Sequence, residues 1–318
     1  MSMRFALPTI NDVTPVNPVL SDLSIGFKNA EFLWDRVAPV QSVPLRNGSY
    51  FVFTRDYWMR RMQGAERAPE AGYTRLDYGV GSTNYKALEY GFEKVLGDPI
   101  KAASQTAEDL ETVDTEFLTQ MLQLELEKQS TAEFFVTGKW GTSRTLAGGD
   151  QWSDLANSDP IADTDLARRT VRQNTGRSIS QLFLGALGWE KLKEHPLILD
   201  KYKHSQTGVM TRELVAAALE LDEVVVGESV ENTAAEGASF VGADIWTDNA
   251  LWKVADAPGL FSPVAAMHFI WNENNNVPWA VQSYRDEKIR SNVTRIFTHS
   301  VPIIPSSQSG YLALDLIA

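Results

Sequence analysis

The stretch TAEDLETVDTEFLTQMLQLELEKQ, from Thr106 to Gln129, constrains this chain more than any other. It contains no glycine or proline, and Leu110, Val113, Phe117, Met121 and Leu124 recur in steps of three and four, the spacing of one helical face. Leu118, Leu122 and Leu126 widen the apolar stripe, so the pattern predicts a helix laid on a sheet instead of a coiled coil. Roughly 24 residues at 1.5 Å each make a rod of about 36 Å. Thr106 and Asp109 have capping-box spacing, and Glu108, Asp109 and Glu111 suit the positive end of the helix dipole.

The segments before this rod have little core of their own. Residues 1–45 carry Pro8, Pro15, Pro18, Pro39 and Pro44 without sustained periodicity, which reads as an extended arm with one short helix near SDLSIGFKN. NGSYFVFTRDYWMRRM predicts a strand over Ser49–Met59, and STNYKALEYGFEKVL a second over Ser82–Leu96. The polar, glycine-containing run between them makes the pair a long hairpin, which needs a partner to rest on.

After the rod, Thr142–Pro160 reads as a loop. DTDLARRTVRQNTG reads as a helix with Leu166, Thr170 and Val171 inward, stopped by Gly176. SISQLFLG predicts a strand, and WEKLKEHPLILDKYK a helix kinked or ended at Pro196. A capped helix over Arg212–Leu221 and a buried strand in DEVVVGESV follow, and the chain from about Ala238 onward is mainly β. The class is α+β.

Composition excludes several chemistries. There is no cysteine, which removes disulfides, thiolate catalysis and cysteine-held zinc. The formal charge of −12 sets the average field against nucleic acid. No run approaches the ~18 apolar residues of a membrane helix, and MSMRFALPTIND is too short and polar for a secretory signal. His195, His204, His268 and His299 have no metal-helix spacing. TGKWGTS lacks the glycine and hydroxyl of a phosphate loop, and DYGVGSTNY lacks a third glycine. Asp154, Asp159, Asp163 and Asp165 lack the glycine and terminal glutamate of a calcium loop and read as loop acids or caps. Gly185 and Gly188 beside His195 raise the question of a ligand cradle, but their order fits a strand-to-helix turn. No catalytic residue, cofactor site or metal site emerges.

The densest basic stretch interleaves Arg55, Arg60, Arg61 and Arg67 with Tyr57 and Trp58. Nucleic-acid stacking platforms share that composition. Asp56, Glu66 and Glu70 interrupt it, and arginine and tryptophan are also enriched at protein interfaces. Arg55, Trp58, Arg60, Arg61 and Arg67 are therefore read as inter-subunit contacts.

The order of these parts resembles the major capsid proteins of tailed phages, the Hong Kong 97-type fold, and within it the lambda-like branch. RAPEAGYTRLDYGVGSTNYKALEYGFEKVLGDP looks like the family's extended loop and return strand, and Thr106–Gln129 like its spine helix. The run from Asp159 to Lys203, then ELVAAALELDEVVVGESV, Trp246 with Leu251–Val254, and the closing GYLALDLIA resemble its later elements. The resemblance implies an N-terminal arm over 1–45, an extended hairpin over 46–97 and a peripheral domain over 98–160. An axial domain over 161–280 and return strands over 281–318 complete it. It further implies a non-enzymatic virion protein that assembles with itself as hexamers and pentamers into an icosahedral shell, in the host bacterial cytoplasm. Such a shell encloses DNA without sequence-specific binding, has no membrane or cofactor, and works with a portal and possible decoration proteins. The chain starts almost directly on the arm, so a scaffold is expected to be a separate protein or a segment cleaved off. An encapsulin-like nanocompartment subunit and an α+β enzyme are the alternatives.

Overall fold

The structure is a computed structural model that describes residues 32–52, 59–61, 66, 69, 73, 75–76, 79, 81–103, 107–202, 210–255, 264–271 and 277–318. In chain order the first elements are α1 (Trp34–Val37), β1 (Val40–Val43), β2 (Asn47–Val52), β3 (Gly81–Lys86) and β4 (Leu88–Gly97). Then come α2 (Asp98–Ala103), α3 (Ala107–Phe134), β5 (Ser143–Thr145), α4 (Pro160–Thr175), β6 (Gln181–Gly185), α5 (Ala186–Glu194), α6 (Pro196–Tyr202) and α7 (Arg212–Ala218). The remainder is β7 (Glu223–Gly227), β8 (Val230–Asn232), β9 (Gly242–Asp244), β10 (Ala250–Lys253), β11 (Met267–Trp271), β12 (Ala280–Asp286), β13 (Ser291–Ile303) and β14 (Gly310–Leu314).

Two five-stranded sheets organise these elements. The first runs β1-β11-β13-β12, with β4 along the other side of β13; the second runs β5-β14-β10-β6-β7. The predicted single strand Ser82–Leu96 is two strands that part at the fully buried Ala87. β3 pairs with β2, whereas β4 leaves the hairpin and follows β13 over ten residues. Arg46 holds the branch, its carbonyl accepting the Ala87 N–H at 2.9 Å and its Nε donating to the Ala87 carbonyl at 3.2 Å. The predicted strand Ser49–Met59 is observed as Asn47–Val52, and residues 53–58 lie outside the described set. Within the expected loop Thr142–Pro160, β5 pairs in parallel with β14. Segments 161–280 and 281–318 do not each keep to one sheet: β11 already lies in the first sheet, and β14 returns to the second.

Local signals govern the helix ends. The Asp159 carboxylate accepts from the N–H groups of Ile161 and Ala162 at 3.0 and 2.9 Å, with Pro160 at the first helical position. Gly176, at φ 71°, ends α4 in the left-handed conformation that glycine adopts without strain. Thr211 caps α7, which stops at Ala218, three residues before the expected Leu221.

The long helix exists as expected but extends to Phe134, and its inward face differs from the predicted one. Leu118, Leu122 and Leu126 pack with Trp34, Trp279, Val281 and Ile296 against the first sheet. Beside them Thr115, Thr119, Gln123, Glu127, Ser130 and Thr131 are also buried. The threonines satisfy themselves on the preceding turn, Thr115 Oγ1 donating to the Glu111 carbonyl at 2.8 Å and Thr119 Oγ1 to Thr115 at 2.7 Å. Val113 and Phe117, the centre of the predicted stripe, are 57% and 51% exposed. Threonines lie under this rod because bonds to their own helix satisfy them, so the predicted stripe faces inward at Leu118, Leu122 and Leu126 and outward at Val113 and Phe117.

Glu127 ties the arm to the body. Its fully buried carboxylate accepts from the N–H groups of Leu33 (2.9 Å) and Trp34 (2.7 Å), from Trp246 Nε1 (2.6 Å) and from Ser229 Oγ (3.0 Å). Burial pushes this carboxyl above its ordinary value, and the donated hydrogen bonds pull it partly back. At the other end of α1, the buried Lys253 ammonium donates to the Val37 carbonyl at 2.8 Å and lies 5.2 Å from the centre of the Phe183 ring. A four-residue helix has no stability of its own. Here an anion meets its free N–H groups and a cation its free carbonyls.

Trp34 then stacks edge-on to His268, with ring centres 5.2 Å apart, and the His268 N–H donates to the Pro39 carbonyl at 3.0 Å. The His268 ring is completely buried, and neither ring nitrogen has a hydrogen-bond partner among the described residues.

Two predictions follow from the arm anchor. Glu127→Gln keeps the shape but turns an NH2 toward donors. It should cost about 3 kcal/mol in chemical denaturation and open residues 32–46 to limited proteolysis; an unchanged midpoint and cleavage pattern would refute the anchor. Burial holds His268 down at about 3, against an ordinary 6.5. The folded state therefore favours its neutral form, and stability is lost as pH falls from 6.5 toward 3, by about 1.4 kcal/mol per unit. In paired melts across that range, His268→Phe should show a shallower acid dependence than the parent.

Candidate assembly interface

The histidines considered for chemistry have structural surroundings. The buried His195 joins α5 to α6: its Nδ1 accepts the Leu197 N–H at 3.3 Å. Its Nε2 lies 3.1 Å from Ser158 Oγ, which itself donates to the Asp154 carbonyl. These partners assign a neutral ring protonated on Nε2. His299 is buried in the first sheet 3.4 Å from Glu89, and His204 lies outside the described residues. Gly185 is not a ligand cradle. A Cβ there would lie 2.5 Å from the Thr247 carbonyl oxygen, so the glycine permits two backbones to touch.

The acidic residues between β5 and α4 also have local partners. Asp154 bonds the turn at Ala156 and Asn157, Asp159 caps α4, and Asp165 pairs with Arg168. Asp163 accepts from Trp152 Nε1 at 3.0 Å and Arg144 at 2.7 Å; burial raises its carboxyl against both bonds. Among the described residues no group of three or more His, Asp or Glu side chains could hold a metal ion. A cleft of about 530 Å³ is lined by Arg36, Arg212, Glu213 and Glu223. Arg36 pairs with Glu223 and Gln181 bonds the same carboxylate at 3.2 Å, so these groups neutralise one another.

The surface that stands out is built for contact. The β2–β3 ribbon is fixed at its base by Tyr50 and Tyr85, whose rings lie edge-on to Phe269 at 5.7 and 5.0 Å. Tyr85 Oη donates to the Leu45 carbonyl at 2.9 Å. Phe51 is exposed on the ribbon, and beyond it Met59, Arg60 and Arg61 are exposed. Arg55, Trp58 and Arg67 lie outside the described residues. Arg60 and Arg61 are thus placed on the surface.

Beside the ribbon base, β4 pairs among the described residues with β13 on one side only, leaving a ten-residue edge with Leu88 and Phe92 exposed. Gly91 allows close strand contact: a Cβ there would lie 2.7 Å from the Ile296 carbonyl oxygen. Arg295 braces the strand through Glu93 at 3.0 Å. Arg285 grips Asp98 with two bonds of 2.6 and 2.7 Å, holding that carboxyl below its usual range. Lys101 does the same for Glu111, which also accepts from Asn292, so α2 and the start of α3 are pinned to the sheet. The outward side of α3, with Val113 and Phe117, completes the exposed apolar surface. Sequence reading found the ribbon but missed this helix face and the free edge. The one available signal was the regular stripe itself, which was assigned inward.

No profile of a known protein family matches the chain. It is 28% identical over 218 residues to the major capsid protein of Burkholderia phage BcepMu, covering 68% of this chain and 69% of that one. It is 25% identical over 235 residues to the major capsid protein of Pseudomonas phage JBD67, covering 70% and 72%. Among solved structures, a phage-related protein from Bordetella bronchiseptica superposes with a TM-score of 0.76 at 19% identity, over 95% of this chain and 98% of that one. The mature capsid of bacteriophage PhiM1 gives 0.55 at 14%, covering 91% and 88%. A virus-like particle from Pyrococcus furiosus gives 0.54 at 10%, covering 92% and 95%. These superpositions carry the fold, and both sequence relatives are phage major capsid proteins. With its two sheets, its rod helix and its two-stranded ribbon, the chain has the Hong Kong 97-type fold and is similar in sequence to the major capsid proteins of tailed phages.

Proposed function

We propose that this chain assembles with itself, as hexamers and pentamers, into the icosahedral head that encloses a tailed-phage genome. The observation that carries the proposal is the β2–β3 ribbon, which parts from β4 at Ala87 and is packed at its base by Tyr50, Tyr85 and Phe269. A two-stranded ribbon is marginal in water, and a neighbouring subunit supplies the surface it lacks. Many modest contacts of this kind, repeated by symmetry, stabilise a shell without one tight interface.

In this reading α3 and the sheet of β1, β4, β11, β12 and β13 form the peripheral domain. The sheet of β5, β14, β10, β6 and β7, with α4 to α7, forms the axial domain. Arg55, Trp58, Arg60, Arg61 and Arg67 are the ribbon's contact residues on a neighbour. A net charge of −12 suits a wall that encloses DNA without gripping it. A portal, a separately encoded scaffold and an outer decoration protein complete the expected partners.

Purified or co-expressed protein should sediment as megadalton shells or capsomer-sized oligomers, and a stable monomer at all concentrations would sink the proposal. Deleting Gln63 to Gly72 should leave the melting temperature near that of the parent while abolishing assembly. Arg60→Glu with Arg61→Glu should weaken assembly while changing stability by less than about 0.5 kcal/mol; normal particles from that variant would remove these two arginines from the contact.

A further inference from the structure

The apolar residues of α3 are split between two faces, with Leu118, Leu122 and Leu126 against the first sheet. Polar Thr115, Thr119 and Gln123 are buried, while Val113 and Phe117 face outward, 57% and 51% exposed. At about 100° per residue, these two lie roughly opposite Leu118 and Leu122, and Leu110 continues their line. Asp114 and Glu116 fall on either side of that line. Neither forms a salt bridge among the described residues, although Lys94 stands near Asp114. Over Ala107–Phe134 the helix carries eight acidic residues against a single lysine.

An exposed apolar line between carboxylates fits few occupants. A second copy of the same face would set carboxylate against carboxylate, and nucleic acid would bring phosphate to the same charges. Residues 1–31 of this chain hold two basic and three acidic side chains, so they offer no complementary charge.

We propose that the outward face of α3 docks a basic amphipathic helix of a second protein. Its apolar ridge lies on Leu110, Val113 and Phe117, and its lysines or arginines meet Asp114 and Glu116. This is the helix-in-groove mode with electrostatic selection added. The proposal rests on the shell reading only for when such a partner acts, because binding itself requires no assembly.

The test uses the full chain and a fluorescent leucine–lysine peptide of about 18 residues, five helical turns. A control peptide has the same composition in an order that gives no helical face. The ordered peptide should bind saturably and more weakly as salt rises. Phe117→Asp, and separately Asp114→Lys with Glu116→Lys, should each weaken it by about tenfold. Glu190→Lys, an exposed acid on α5, should leave binding unchanged. Melting curves confirm that each variant is folded, and the charge variants stand as the test if Phe117→Asp is not.

Equal binding of the control peptide, or equal loss with Glu190→Lys, would reduce the effect to bulk charge and overturn the proposal. Because the chain has no cysteine, Phe117→Cys also takes one photocross-linker at a unique site. Cross-linking of the protein alone to its own residues 1–31, or to a second copy, would overturn it by naming another occupant. Particle formation is scored separately, so failure of the docking face and failure of the shell reading are distinguishable.

Discussion

The buried carboxylate of Glu127 is the interaction on which the rest of the structure depends. Four donors from three distant segments converge on it: the start of α1, Ser229 after β7, and Trp246 before β10. A charge in that position is costly to bury, and its donors make the ionised form tolerable. Lys253 completes the arrangement from the second sheet by taking the carbonyl end of α1. The arm, the rod helix and both sheets are thereby joined through one short helix with a buried charge at each end.

This anchor divides the molecule into a rigid body and segments that leave it. Trp34 is held between α3 and the first sheet by Trp279 and His268, so β1 begins from a fixed point and pairs in parallel with β11. From β1 the chain passes through Arg46 into the ribbon, and Ala87 brings it back into the sheet as β4. A subunit built in this way can present the ribbon, the β4 edge and the outward face of α3 while its core stays unchanged. Those surfaces carry the exposed apolar residues that a shell protein leaves for its neighbours. Similarity to phage capsid proteins and physical construction point the same way.

Much of the fold was legible because it is written locally. Asp159, Pro160 and Gly176 marked both ends of α4, Thr211 the start of α7, and Pro196 the break between α5 and α6. The buried runs of β6 and β7 were equally plain. Of the candidate site, the ribbon was legible through its aromatic and basic composition. The outward turn of Val113 and Phe117 was not, since threonines can point inward when they bond to their own helix. Nor was the edge of β4, because an alternating pattern is the same whether a strand keeps its partner or changes it.

The sequence by itself determined the elements, their order and their ends, together with the absence of cysteine chemistry and the acidic charge. These depend on residues within a turn or two of each other. Tertiary structure alone decided which face of α3 turned inward, that β4 leaves the hairpin at Ala87, and that β5 pairs with β14. It also decided that Glu127 and Lys253 clamp α1. Glu127 lies 94 residues from Leu33 and 119 from Trp246, and over such separations no local periodicity records which groups will meet.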